Sequence, residues 1–322
     1  MCPMFDHILV PLDGSSLAEC VLPHVVAIAR ALGARVTLLQ VLERPKSNQG
    51  STQFVDPLSW YMGAAEARTY LDGLSTRLRE AGLQVECSFL QGQAAGRIIE
   101  FAQNHAVDLI VLSSHGRSGL SGWNVSSIVL KIILRSYLSV MIVRAYQPQP
   151  HDLTGLRYRR LLVPLDCSQR AECVLSLATG LARFYEAELL VVHVVNRPQM
   201  PRWAPLTSEE SELVHKIVEC NRLEATRYLK QLQPRLDVSV RTHLAISDHA
   251  AETLHDLVEQ ADVDLVVLSA HGYSGGAKWP YGSMVVNFIG YGATPLLIVQ
   301  DLSPEEVERT RAEISARERK GH

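Results

Sequence analysis

Residues 7–22 read HILVPLDGSSLAECVL, and residues 160–175 read RLLVPLDCSQRAECVL. The shared Leu-Val-Pro-Leu-Asp and Ala-Glu-Cys-Val-Leu mark the second stretch as a copy of the first, 153 residues on. LLQVLERP (Leu38–Pro45) returns as VVHVVNRP (Val191–Pro198) at the same offset, and EARTYLDGL from Glu66 returns as EATRYLKQL from Glu224. VLSSHGRSGLSGWNVSSIV (Val111–Val129) returns as VLSAHGYSGGAKWPYGSMV (Val267–Val285). Copies that keep their order along nearly the whole chain describe a duplicated domain. Two domains are also what a length of 322 residues implies.

Each copy alternates short apolar runs with longer stretches of helical period. Ile8–Leu12 and Leu161–Leu165 are Leu- and Val-rich runs without polar alternation, as in strands buried on both faces. Ser15–Leu32 then reads as one helix, with Leu17, Val21, Val25, Ile28 and Leu32 on one side, Ser15 or Ser16 as cap and Gly33 as stop. Further strands are expected at Arg35–Leu42, Val85–Leu90, Asp108–Leu112 and Val140–Val143, and in the second copy at Glu188–Val195, Ser239–Ala245, Asp264–Leu268 and Leu296–Val299. Helices are expected at Asp56–Ala81, Ala94–His105, Glu209–Leu232 and His249–Gln260. Strand–helix alternation predicts an α/β fold, one doubly wound five-stranded parallel sheet per copy. The Pro-rich joint QPQPHDLTG (Gln147–Gly155) sets the division: domain one at 1–147, a linker at 148–156, domain two at 157–301 and a charged helical tail at 302–322. In the tail, Ser303, Pro304 and Glu306 read as a helix start.

Composition narrows the function classes. Net charge is −3 with both signs interspersed, which gives no nucleic-acid-binding surface. No apolar run approaches the ~20 residues of a membrane span, and the N-terminus lacks a signal-peptide pattern. The six cysteines, Cys2, Cys20, Cys87, Cys167, Cys173 and Cys220, show no CxxC spacing and read as reduced, buried thiols of a cytoplasmic protein.

The repeated small-residue turn lies where open parallel sheets bind ligands, beyond the carboxyl ends of strands and before a helix. A helix N-terminus offers unpaired N–H groups and partial positive charge to a phosphate. Ser127 and Ser283 are placed as N-cap or first-turn hydroxyls, Asp13 and Asp166 as either ligand contacts or caps, and Arg117 and Lys278 as phosphate-facing or solvated cations. His115 and His271 read as polar contacts near a phosphate or as shapers of the turn. GYSGG (Gly272–Gly276) matches a nucleophile elbow, but the final stretch after Ser274 offers Asp301 and the terminal His322 as implausible partners, and the first copy breaks the pattern. Neither GxGxxG after a first strand nor a P-loop occurs. His243, His249 and His255 read as surface histidines rather than a metal site.

Taken together, these motifs resemble the universal stress protein family, whose nucleotide-binding members show Gly-x-x-Gly, nine residues, then Gly and Ser or Thr. The second copy has Ser269-x-x-Gly272, nine residues, Gly282-Ser283; the first has Ser113-x-x-Gly116, nine residues, Ser126-Ser127. The resemblance implies ATP or a related adenine nucleotide, with or without Mg2+, across the switch point of each sheet. In the second domain it implies contacts at Pro164, Leu165, Asp166, Val194, Ser269, His271, Gly272, Gly282, Ser283 and Met284. In the first it implies Pro11, Leu12, Asp13, Val41, Ser113, His115, Gly116, Ser126, Ser127 and Ile128. Serine replaces the first motif glycine in both copies, and Ser126 replaces the third in the first copy. A serine Cβ obstructs close backbone approach, so the second domain is the expected site and the first can keep its turn as fold alone. The resemblance also implies pairing of the two domains as a pseudo-dimer, Val140–Val143 facing Leu296–Val299, and leaves a homodimer open. The expected role is a nucleotide-binding regulator of the stress response. Slow ATP hydrolysis stays open, with no catalytic residues assigned. The alternative is a non-binding interaction module with degenerate phosphate loops.

Overall fold

A parallel sheet buried on both faces needs continuous apolar strands, and the chain supplies them in each half of a computed structural model. It describes residues 5–43, 57–117, 119, 125–146, 152–198, 205–273, 281–303 and 305–309. The chain divides into two units, one made mainly of residues 4–157 together with 289–295, the other mainly of residues 158–288 and those from 296 on.

In the first, β1 (His7–Leu12), β2 (Arg35–Leu42), β3 (Val85–Gln91), β4 (Leu109–Ser113) and β5 (Ser139–Val143) run parallel in the order β3-β2-β1-β4-β5. Ile8, Leu9 and Val10 of central β1 are all fully buried. Each such side chain contributes about 1.5–3 kcal/mol on burial, which fixes β1 at the centre. Between the strands lie α1 (Leu22–Leu32), α2 (Pro57–Glu80), α3 (Ala94–Asn104) and α4 (Ser127–Ser136).

The second unit repeats the plan with β6 (Arg160–Pro164), β7 (Glu188–Asn196), β8 (Val240–Ser247), β9 (Leu265–Ser269) and β10 (Leu296–Val299), in the order β8-β7-β6-β9-β10. Its helices are α5 (Leu175–Tyr185), α6 (Ser208–Leu232), α7 (Ala250–Gln260) and α8 (Ser283–Tyr291). In both, strand order reverses beside the first strand, opening a crevice between the carboxyl ends of β1 and β4, or β6 and β9.

The structure corrects the sequence reading at two places. The stretch 15–32 is not one helix: a 3-10 turn at Ala18–Val21 precedes α1, and Leu22 N–H donates to Glu19 O. Pro23 cannot donate to that carbonyl, yet the second copy forms the same turn at Ala171–Val174 with Ser176 in its place. What both share is a buried serine, Ser113 or Ser269, whose hydroxyl lies 2.9 Å from Leu17 O or 3.3 Å from Arg170 O at the turn. Gly33 ends α1 in the left-handed region at φ 70°. The thiols are also not uniformly buried: Cys20 is, but Cys87, Cys167 and Cys220 are exposed and Cys173 is intermediate. Apolar sequence neighbours do not bury a residue on an outer strand or an outward helix face. Cys2 lies outside the described residues.

Candidate nucleotide site

Asp13 leaves β1 at the crevice and ties two turns together. Its Oδ1 accepts from Ser15 N at 3.0 Å and Ser15 Oγ at 2.6 Å, and its Oδ2 accepts from Arg117 N at 2.5 Å. Asp166 repeats this with Ser168 N at 3.0 Å, Ser168 Oγ at 2.6 Å and Tyr273 N. The serine, not the aspartate, meets the first N–H of the 3-10 turn: Ser15 Oγ accepts from Ala18 N at 3.2 Å and Ser168 Oγ from Ala171 N at 3.1 Å. A Cβ on Gly116 would stand 2.1 Å from Asp13 Oδ2, and one on Gly272 2.2 Å from Asp166 Oδ2. The glycine is therefore required by the carboxylate beside it.

The serines that replace the motif glycines are accounted for individually. Ser113 Oγ lies 2.6 Å from His115 O as well as near Leu17 O, and Ser269 Oγ 2.7 Å from His271 O, so both hydroxyls face backbone carbonyls. Ser126, rather than Ser127, is the N-cap of α4 and accepts from Val129 N at 3.3 Å. At the matching Gly282 a Cβ would lie 3.5 Å from Ala270 O, an ordinary contact. A serine at this position does not obstruct the backbone. Ser127 is exposed in the first turn, and the N–H groups of Ser127 and Ile128 find no protein acceptor among the described residues.

In the first half these residues surround a cavity of about 370 Å³. Pro11, Leu12, Asp13, Val41, Ser113, His115, Gly116, Ser126 and Ile128 all line it; Ser127 does not. Gln40 lines it too, 5% exposed, with its Oε1 lacking a partner. The second half has a smaller cavity of about 170 Å³, lined by Pro164, Leu165, Asp166, Val194, Ser269, His271, Gly272, Gly282 and Met284 but not Ser283. His193 stands there in place of Gln40, its Nδ1 2.7 Å from Leu165 O.

The two histidines differ in partner. His115 is buried with Nδ1 3.1 Å from Ser114 Oγ. His271 is buried with Nδ1 2.7 Å from Asp301 Oδ1; Asp301 Oδ2 lies 3.3 Å from Arg170 Nε, and Arg170 bonds Glu306 at 2.8 Å. Ser303 and Glu306 cap the tail helix reciprocally, Ser303 N donating to Glu306 Oε2 at 2.9 Å and Glu306 N to Ser303 Oγ at 3.3 Å. The Ser303 N–H and the Arg170 guanidinium push the Glu306 carboxyl down to about 2. Gln40 and this relay were missed in the sequence. Gln40 is the polar interruption of an apolar strand, and Asp301 closely follows β10, so each left a signal. His255 packs on Phe288 and bonds Asn287 Oδ1 at 2.8 Å. Among the described residues no group of His, Cys, Asp or Glu is placed to hold a metal ion, and no helix is long and apolar enough to cross a membrane. Ser274 and Lys278 lie outside the described residues.

The sequence profile described as the universal stress protein family matches residues 4–144 and again residues 157–300. The chain belongs to the universal stress protein family. It is a tandem member, with one match to the profile in each half. Universal stress protein MJ0531 of Methanocaldococcus jannaschii is 25% identical over 145 residues, 44% of this chain and 83% of its own length. Universal stress protein YxiE of Bacillus subtilis is 28% identical over 149 residues, 44% of this chain and all of its own. A universal stress protein from Archaeoglobus fulgidus shares the fold across 93% of this chain and 100% of its own, with TM-score 0.64 at 16% identity.

Proposed function

We propose that this universal stress protein binds an adenine nucleotide in the cavity of its first half and serves the stress response as a regulator. The observation behind this reading is the cavity of about 370 Å³ at the switch point of the first sheet. Small-molecule sites run to roughly 300–1,000 Å³, so the first cavity falls in range and the second, at about 170 Å³, falls below it. The expected preference for the second domain is set aside on that ground.

The residues present fit such a ligand. Val41, Leu42 and Ile98 give the cavity an apolar wall for a base. The unpartnered Gln40 Oε1 offers an acceptor to an amino or hydroxyl group. The first-turn N–H groups of α4 and its dipole favour phosphate, worth about 0.3–1 kcal/mol per charge when exposed. Magnesium would enter with the phosphates. For the second half, the smaller volume and the engaged His193 favour the non-binding alternative.

The test has two arms. Protein denatured after purification is chromatographed for released adenine nucleotide, and ATP is titrated against the melting temperature, with a gain of about 2.7 kcal/mol expected at a hundredfold excess over Kd. Ser126→Val, compared with Ser126→Ala to separate bulk from the lost cap, weakens binding, whereas Gly282→Val leaves it unchanged. Absence of both retained nucleotide and an ATP-induced shift refutes the proposal.

A further inference from the structure

Helix α6 is longer than its own domain uses. Of its 25 residues only Ala225, Leu229 and Leu232 are buried, all within the last third. Isolated helices depend on packing of an apolar face for stability, yet the first half of α6 buries no residue. Its start is nonetheless fixed by a capping box: Glu210 N donates to Thr207 Oγ1 at 3.3 Å and Thr207 N to Glu210 Oε2 at 2.8 Å. Along this outward stretch lie Leu213 at 58% exposure, Ile217 at 43% and Leu223 at 47%, with exposed Cys220 between them. At 3.6 residues per turn, positions 213, 217 and 220 fall within an arc of about 60°. That is the narrow seam of a helix that pairs with another helix.

The charges say which helix. Residues 208–219 hold four glutamates against Lys216, a net −3, and residues 220–232 hold three basic residues against Glu224, a net +2. A helix with opposite charge in its two halves complements itself when laid antiparallel. Cys220 is the central residue of α6, so full antiparallel overlap about it sets Ile217 against Leu223 of the second copy. It also sets Lys216 against Glu224 and Glu210 against Lys230. These three pairs are apolar with apolar or acid with base, Leu213 falls opposite Arg227, whose alkyl stem can cover it, and each pair occurs twice, as a two-fold axis requires.

We propose that α6 is a self-association surface, through which two copies of this chain pair antiparallel about Cys220. This proposal does not depend on nucleotide binding.

Sedimentation equilibrium of the full chain tests it. The expected result is a monomer–dimer equilibrium whose Kd rises at least about tenfold in Ile217→Glu and in Leu223→Glu, with far-UV circular dichroism unchanged because neither side chain is buried in its own domain. Lys216→Glu and Glu224→Lys each weaken the dimer and together restore it. A short bismaleimide links wild-type chains into dimers and fails to do so in Cys220→Ser. A chain that stays monomeric throughout overturns the proposal, whatever other protein or lipid then binds the seam. So does a dimer indifferent to the substitutions at 217 and 223, or a charge swap without rescue.

Discussion

Gly116→Ala isolates the contact that joins the two turns of the first site. The added methyl would stand 2.1 Å from Asp13 Oδ2, where ordinary contacts begin at 3.4 Å. The clash is with a side chain rather than with backbone, and Gly116 does not occupy the left-handed region, so backbone strain plays no part. Relief requires Asp13 to swing away from Arg117 N, and its bonds to Ser15 N and Ser15 Oγ resist the movement. Losing one hydrogen bond to a charged acceptor costs about 1.5–3 kcal/mol. Water can reach the freed Arg117 N–H because Arg117 is exposed, which holds the cost to that range. For a domain of this size the loss lowers the melting transition by roughly 5–10 °C. Calorimetry of wild type, Gly116→Ala, Asp13→Ala and the double variant closes a thermodynamic cycle. With the carboxylate absent the methyl has room, so the cost of Gly116→Ala falls below about 0.5 kcal/mol. An equal cost with and without Asp13 refutes the reasoning, and places the need for glycine elsewhere.

Two further outcomes follow from the same geometry. Ser126→Ala removes the cap of α4 and lowers stability by about 0.5–2 kcal/mol, whereas Gly282→Ser, with only ordinary contacts at its Cβ, is neutral or stabilising; urea unfolding of both checks this. Glu306→Gln lowers stability near neutral pH by about 0.2–1 kcal/mol, the range for a partly exposed ion pair. Because the folded carboxyl is held down at about 2, the stabilisation is present above its ordinary value and fades as pH falls toward 2. The gap between wild-type and variant unfolding midpoints should close over that interval; a gap constant with pH speaks against the relay.

Much of the fold was legible because buried parallel strands announce themselves as unbroken apolar runs. Arg35–Leu42 and Leu296–Val299 were read to the residue. What a one-dimensional period does not encode is where a side chain bonds across the fold. The 3-10 turn before α1 is met at Leu17 O by the hydroxyl of Ser113, nearly a hundred residues away. Of the two places left open for Ser127, the structure gives the first turn and hands the cap of α4 to Ser126, since the two serines are chemically alike and only backbone geometry separates them. The difference in cavity size arises from side chains of several elements converging, which no motif spacing records. The exposed thiols of Cys87 and Cys220 likewise depend on which face of an element looks outward.

Duplication within one polypeptide has an effect on stoichiometry. An assembly of identical single-domain chains must make all its chambers alike, whereas this chain is translated with one roomy and one narrow chamber in a fixed one-to-one ratio. The narrow one is wired to the C-terminal segment through His271, Asp301 and Arg170, a linkage for which the roomy one has no counterpart at Ala145 and Leu17. Each molecule thus leaves the ribosome already differentiated, without a second gene to regulate.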